Sequence, residues 1–283
     1  QSLIASGLAA SFVPAGTTAI AGGRQMTRTF EDPLLTRIHG ILRAEVDPDF
    51  DFLNPGPIPW FAPRRPASRS SVALLTTASL HLKGDVPFRA FEDRFGDTSY
   101  RTIPLSAKPE ELDLDAPYVD RRHISSDPEV ALPLRALEAL HRDGLVGPPA
   151  PRHASVSGGL VRPYPGLSET SERLAEMFLE DGVDAVLLLP SCPLCVQTVC
   201  LLAREFEGRG IATVCLTLVP ELSRIVGAPR TLSVRFRFGA PCGDSGNAPV
   251  HRAVLQEMLA LLDEATEAGA FRDSGLQWKR APA

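Results

Sequence analysis

"GVDAVLLLPSCPLCVQTVCLLAREFEGRGIATVCLTL", residues 182–218, holds the alternation that decides the fold. Its aliphatic run "DAVLLLP" is short and continuous, without polar alternation, as a strand covered on both faces requires. Residues 193–208 then carry an apolar helical pattern behind a proline, which is favoured at the first helical position because its missing N–H has no partner to lose. "IATVCLTL" restores the buried-strand pattern. Downstream come a short helix at "PELSRIVG", a strand at "LSVRFRFG" and a final helix from about 250 to 268. This βαβαβα order predicts an α/β fold: a doubly wound, mostly parallel sheet flanked by helices, Rossmann-like, with right-handed crossovers. In such sheets the working residues gather at the carboxyl ends of strands and the amino ends of the helices that follow. Cys192 falls at that kind of junction.

Working towards the amino terminus, "LSETSERLAEMFLEDG" reads as a helix with Ser168 and Ser171 as capping candidates and Gly182 as its stop, preceded by the glycine-bearing "ASVSGGLV". "DPEVALPLRALEALHRDG" reads as a helix from about Pro128 to Asp143. "VALLTT", residues 72–77, is a buried strand, "ASLHLKGDVPF" a loop, and "YRTIP" a short strand. "DPLLTRIHGILRAEV" places Leu34, Leu35, Ile38, Ile41 and Leu42 at helical spacing behind an Asp-Pro start. The following "DPDFDFLNPGPIPWFAPRRPASRSS" is too rich in proline for regular structure, and its Phe52, Trp60 and Phe61 need a surface to pack on, so it reads as an arm wrapping the core or a partner subunit. The organisation is thus an extension over 1–25, flexible or non-native, with Met26 as a natural start; an N-terminal helix and Pro-rich arm over 26–70; and an α/β domain over 71–283, divisible into halves of about 71–160 and 161–283.

The 283 residues are 44% hydrophobic, enough for a large core, and the formal net charge is -5. An acidic chain lacks the basic footprint that nucleic acid or an anionic membrane surface requires, so neither is expected as a partner. No apolar stretch reaches the roughly 18 to 20 residues that span a bilayer, and the N-terminal segment lacks the basic region of a signal peptide. The only lysines are Lys83, Lys108 and Lys279, which leaves Lys83 as the one interior Schiff-base candidate, a role we do not expect it to fill.

Five cysteines, at 192, 195, 200, 215 and 242, all lie in the last third. A small secreted disulfide scaffold would spread them through its loops, so a reducing cytoplasm is the expected location. Cys192 sits at or beside a helix N-cap, where partial positive charge and unpaired N–H groups favour thiolate over thiol. Cys195 follows one turn on, on the same face, near enough to form a disulfide. Cys192 reads as the nucleophilic sulfur and Cys195 as a resolving thiol. Cys200 is rotated off that line and reads as packing; Cys215 lies within an aliphatic strand as a small hydrophobe. Cys242, in the Gly/Pro loop "GAPCGDSG", is a third candidate at the same sheet edge. Zinc is disfavoured, because a structural site wants four ligands and the chain offers a single C-x-x-C with no histidine at finger spacing. A non-catalytic metal-binding or partner subunit is the alternative reading of the cluster. A racemase-like enzyme would need a second cysteine in the first half, which has none.

The pieces "VALLTTASLHLKGDVPF", "GDTSYRTIP", "DPEVALPLRALEAL" and above all "GVDAVLLLPSCPLCVQTVCLLAREFEGRGIATV" followed by "GAPR" resemble the selenoprotein B subunits of glycine, sarcosine, betaine and D-proline reductases, over about residues 55–268. In that family the strand-to-helix junction carries selenocysteine and, three residues later, cysteine; Cys192 occupies what looks like the selenocysteine position and Cys195 the cysteine, so the resemblance implies a cysteine-only relative. A further family cysteine would fall on Thr198. The resemblance implies a thiol-dependent oxidoreductase that cleaves a carbon–heteroatom bond, C–N first, of a small molecule, with no intrinsic cofactor. It also implies a thiol electron donor and a partner subunit whose pyruvoyl group activates the substrate; a homo-oligomeric assembly is expected as well. Thiols are poorer nucleophiles and leaving groups than selenols at neutral pH, so a more activated substrate is implied. Among polar residues, "GDTSYR" offers Asp97, Ser99, Tyr100 and Arg101, whose two-pronged donors suit a substrate carboxylate. "YVDRRHISSDPE" offers Tyr118, Asp120, His123 as a general acid, and Asp127, which also suits a helix cap. His81 and His153 are read as loop-borne candidates of a second tier.

Overall fold

A computed structural model describes residues 29–89, 92–116 and 119–278. The expected 1–25 extension, Met26, Tyr118 and Lys279 lie outside these residues. Chain order is α1 (Pro33–Glu45), β1 (Val72–Thr76), β2 (Leu80–Leu82), β3 (Tyr100–Pro104), β4 (Leu112–Leu114), α2 (Arg121–Ser126), α3 (Leu134–Arg142), β5 (Arg152–Val156) and α4 (Gly166–Glu180). It continues through β6 (Ala185–Leu189), α5 (Pro193–Gly208), β7 (Ala212–Thr217), α6 (Pro220–Val226), β8 (Arg230–Arg235), α7 (Ala248–Glu264) and β9 (Ala270–Gln277).

Seven strands form one sheet in the order β3-β5-β1-β6-β7-β8-β9, and β2 pairs with β4 in a separate antiparallel ribbon. All neighbours in the large sheet are parallel except β3, which runs antiparallel to β5 at the edge. Counted along the chain, its parallel strands lie 2-1-3-4-5-6, an extension of a common doubly wound order. The sheet therefore has helices on both faces. Side chains alternate between them: Val186 and Leu188 of β6 join α1, α4, α5 and α6 in one core, while Leu187 and Leu189 join α3 and α7 in the other.

The last third follows its expected pattern closely, with α5 at Pro193–Gly208. Four expectations need correction. The helix at 128–143 is split: Pro128–Val130 forms a 3-10 turn capped by Asp127 and α3 begins only after Pro133, whose ring removes a backbone donor. Ser168 and Ser171 lie inside α4, which starts at Gly166, and neither caps it. The final helix stops at Glu264, and β9 follows as a strand that the reading omitted. His81 and His153 are in strands β2 and β5, not loops.

The Pro-rich segment wraps this chain's own core. Leu53 N–H donates to Gln197 Oε1 at 2.8 Å, Arg204 donates to the carbonyls of Gly56 and Pro57, and Trp60 and Phe61 close over the buried Arg230. Among the described residues no helix is long and apolar enough to cross a membrane.

Candidate active site

The strand order reverses at β1: the chain continues to β5 on one side, then crosses to β6 on the other. A crevice outside the carboxyl ends of β1 and β6 is where such a sheet presents its ligand site. β6 ends at Leu189, and Cys192 is the N-cap of α5 in extended conformation, with Pro193 in the first turn. Its Sγ accepts the Cys195 N–H at 3.0 Å, so the sulfur takes the place of the usual capping oxygen. Cys192 and Cys195 are joined by a disulfide, with Cα atoms 4.8 Å apart. Once reduced, the same N–H and the helix end favour a charged sulfur at Cys192.

The junction is held from three directions. Thr77, directly after β1, donates its N–H to Leu189 O at 3.1 Å and accepts the Ser191 N–H on Oγ1 at 3.0 Å. Gly239, after β8, donates to Ser191 O at 2.8 Å. Gly158, after β5, lies so close to the disulfide that a Cβ there would meet Thr77 Cβ at 2.5 Å and Cys195 Sγ at 2.6 Å; its carbonyl accepts the Thr198 hydroxyl at 2.8 Å. Only glycine fits at 158. Cys192 is 4% and Cys195 1% exposed, so the glycine loop shields the second sulfur more than the first. Ser191 Oγ is buried without a hydrogen-bond partner among the described residues. Thr77, Gly158, Ser191 and Gly239 were missed as site residues, although each directly follows or closely trails a buried strand, which is the signal that would have found them.

The other sulfurs stand apart. Cys200 and Cys215 are fully buried in the same core as the disulfide, and burial pushes the Cys215 thiol well up while its Sγ approaches Val199 O at 3.5 Å. Cys242 lies in the core on the opposite face, its N–H bonded to Val130 O, and burial raises its thiol far above the ordinary range. It is not brought to Cys192.

The polar candidates are scattered. Arg101, on the edge strand β3, directs its guanidinium to the carbonyls of Val86, Pro87 and Tyr100 and the Ser99 hydroxyl, and stacks over Phe88 at 4.3 Å. It holds the 85–89 loop beside an open depression of about 770 Å³. His153 is fully buried; its Nδ1 accepts the Leu74 N–H at 2.9 Å and burial lowers its pKa to about 3, so it is a neutral ring completing the sheet. His81 is buried with Nε2 2.9 Å from Asp115. Lys83 is exposed and bonded to Glu110 O. His123, half-buried on α2, meets the Trp278 ring edge-on at 5.2 Å. The turn bearing Gly239 packs against Asp120 and Val119, just before that helix. Among the described residues no three His, Cys, Asp or Glu side chains converge on a metal-holding position.

No protein-family model matches the chain, and no solved structure matches it. Among curated proteins it is 28% identical over 217 residues to D-proline reductase subunit gamma of Acetoanaerobium sticklandii, a match covering 77% of this chain and 88% of that one. It is also 29% identical over 159 residues to sarcosine reductase complex component B subunit beta of Peptoclostridium acidaminophilum, covering 54% of this chain and 36% of that one. Both are reductase components of the kind the motifs resemble.

Proposed function

We propose that the chain is a selenoprotein B-like reductase component, a reading its similarity to two reductase subunits supports, and that it is the thiol subunit of a reductase that cleaves a carbon–nitrogen bond of a small molecule. The observation that carries the reading is Cys192 at the N-cap of α5, at the switch point, with Cys195 in bonding reach. In the reduced form the Cys192 thiolate attacks the substrate carbon; the S–C bond forms as the C–N bond breaks and the amine leaves with a proton. Cys195 then attacks the Cys192 sulfur, the S–C bond breaks, its carbon takes up a proton, and the disulfide remains. An external dithiol returns the two electrons by exchange. Substrate activation, which the family resemblance assigns to a pyruvoyl group on another subunit, stays with that partner; this chain supplies the sulfurs at the amino end of α5.

The burial of both sulfurs means that the substrate enters by displacing the glycine loop at 158–159 or by docking of a partner at this edge. A direct test is reduction by dithiothreitol in the presence of D-proline, sarcosine, glycine and betaine, with the partner subunits co-expressed. Cys192→Ala should abolish turnover and keep the fold, while Cys195→Ser should accumulate a substrate adduct on Cys192 visible by peptide mass. Full turnover in Cys192→Ala would sink the reading.

A further inference from the structure

Resting on Cys192 as the nucleophile, we propose that Arg237 is the specificity residue that holds a carboxylate of the substrate at the mouth of this crevice. Arg101, the expected anchor, is engaged by loop carbonyls and stacked on Phe88. Arg237 is also stacked on a ring, but its N–H donors are taken by no group among the described residues. It opens a tight turn, with Ala240 N–H returning to Arg237 O at 3.1 Å and Gly239 in the left-handed region at φ 81°. That turn is fixed to the catalytic junction by the Gly239 N–H to Ser191 O bond, one residue before Cys192, and its other side abuts Asp120 O so closely that no Cβ would fit at 239. The backbone of Arg237 is thus tied to the nucleophile through a rigid link.

Its side chain is exposed yet oriented. The guanidinium lies over the Trp278 ring at 4.7 Å, and His123 supports that ring edge-on. Stacking uses the face of the guanidinium and leaves its in-plane N–H donors free for a two-pronged carboxylate bond. No side chain among the described residues takes them. The carboxylates nearby are already neutralised: Asp120 is held by Arg122 and its pKa is strongly depressed, and Asp273 is paired with Arg235 at 2.7 Å. In a chain of net charge -5, a ring-supported arginine unpaired among the described residues, on a turn bonded to the residue before Cys192, suits an anion.

The test compares two alkylating reagents that differ in charge. In the reduced full-length protein the Cys192 thiolate displaces iodide from iodoacetate, an anion, or from iodoacetamide, a neutral amide, and peptide mass gives each rate at Cys192. The iodoacetate-to-iodoacetamide ratio should exceed that of free N-acetylcysteine in the same buffer. Arg237→Gln should lower the ratio by roughly two- to fivefold, the size expected of one exposed ion pair, and salt should do the same to the wild type. Arg237→Lys should keep part of it, and Arg142→Gln on α3 should leave it unchanged. An iodoacetamide rate and melting curve equal to wild type in Arg237→Gln show that the fold and access are intact. A ratio unchanged in Arg237→Gln, or lowered instead by Arg101→Gln, overturns the proposal while Cys192 stands as nucleophile. Failure of both reagents to label Cys192 overturns both.

Discussion

One backbone N–H sets Cys192 apart from the free sulfurs of this protein. Cys192 receives the amide of Cys195 at the amino end of α5, whereas Cys200, Cys215 and Cys242 are fully buried, and burial raises the thiols of Cys215 and Cys242. After reduction of the native protein, iodoacetamide at neutral pH should therefore label Cys192 first, Cys195 more slowly, and the other three only in denaturant. Rapid native labelling of Cys242 would contradict this assignment. His153 supports a second residue-scale prediction, about stability. Its folded pKa of about 3 lies below the free value of 6.5, so the unfolded chain binds the proton first. Its contribution to stability is complete above pH 6.5 and is lost as the pH falls towards 3, by at most ~1.4 kcal/mol per pH unit. His153→Gln should flatten this part of a urea-denaturation pH series, and lower stability at neutral pH by about 1–3 kcal/mol where the Leu74 N–H loses its acceptor.

At the scale of elements, α3 shows how a cap can be set against its own charge. Glu129 accepts the N–H groups of Arg135 and Ala136, the first-turn donors of α3, but burial raises its pKa to about 7. With the folded value above the free one of 4.5, its contribution to stability is complete below 4.5 and is lost as pH rises through 7. Glu129→Gln keeps an acceptor without the charge and should stabilise the protein above pH 7, whereas Glu129→Ala should cost about 1 kcal/mol through loss of the cap; equal melting temperatures at pH 8 for Gln and wild type would refute this. The sequence was legible where one segment carried the whole signal. Buried strands such as "AVLLL" and the proline opening α5 announce themselves, and so does a C-x-x-C at their junction. β5 was not legible, because its polar His153 and Ser155 lie buried within the sheet, Ser155 paired with β1 on one side and the edge strand β3 on the other. β9 was missed because it is an edge strand whose residues alternate between exposed and half-buried and include Gly275. The site showed the same division. Cys192 and Cys195 are neighbours in sequence, but Thr77, Gly158 and Gly239 come from three other strand ends, and only the strand order brings them to the disulfide.

Across the whole molecule, the two edges of the sheet carry different tasks. The carboxyl edge holds the buried disulfide and the glycine loops packed against it. The amino edge is clamped by an ion pair without exposure: Arg230 reaches Glu207 Oε1 at 2.6 Å, which also accepts the Thr213 N–H and hydroxyl. Phe61 closes the network from the arm, its N–H on the other Glu207 oxygen and its carbonyl on Arg230, while Trp60 stacks on the guanidinium at 3.7 Å. Burial pushes Glu207 up and Arg230 down in pKa, and their mutual attraction and hydrogen bonds oppose it. Removing one partner leaves the other charge buried, at a cost of about 3–5 kcal/mol, whereas replacing both with apolar residues of similar volume recovers much of it. Arg230→Met should therefore shift the urea midpoint strongly downward, and Glu207→Leu with Arg230→Met should restore part of that shift. In all folded variants the relative alkylation rates of reduced Cys192 and Cys195 should match wild type, since the clamp and the thiols sit at opposite ends of the strands. A change in that rate ratio below the unfolding transition would show that the arm controls access to the thiols as well as fastening the fold.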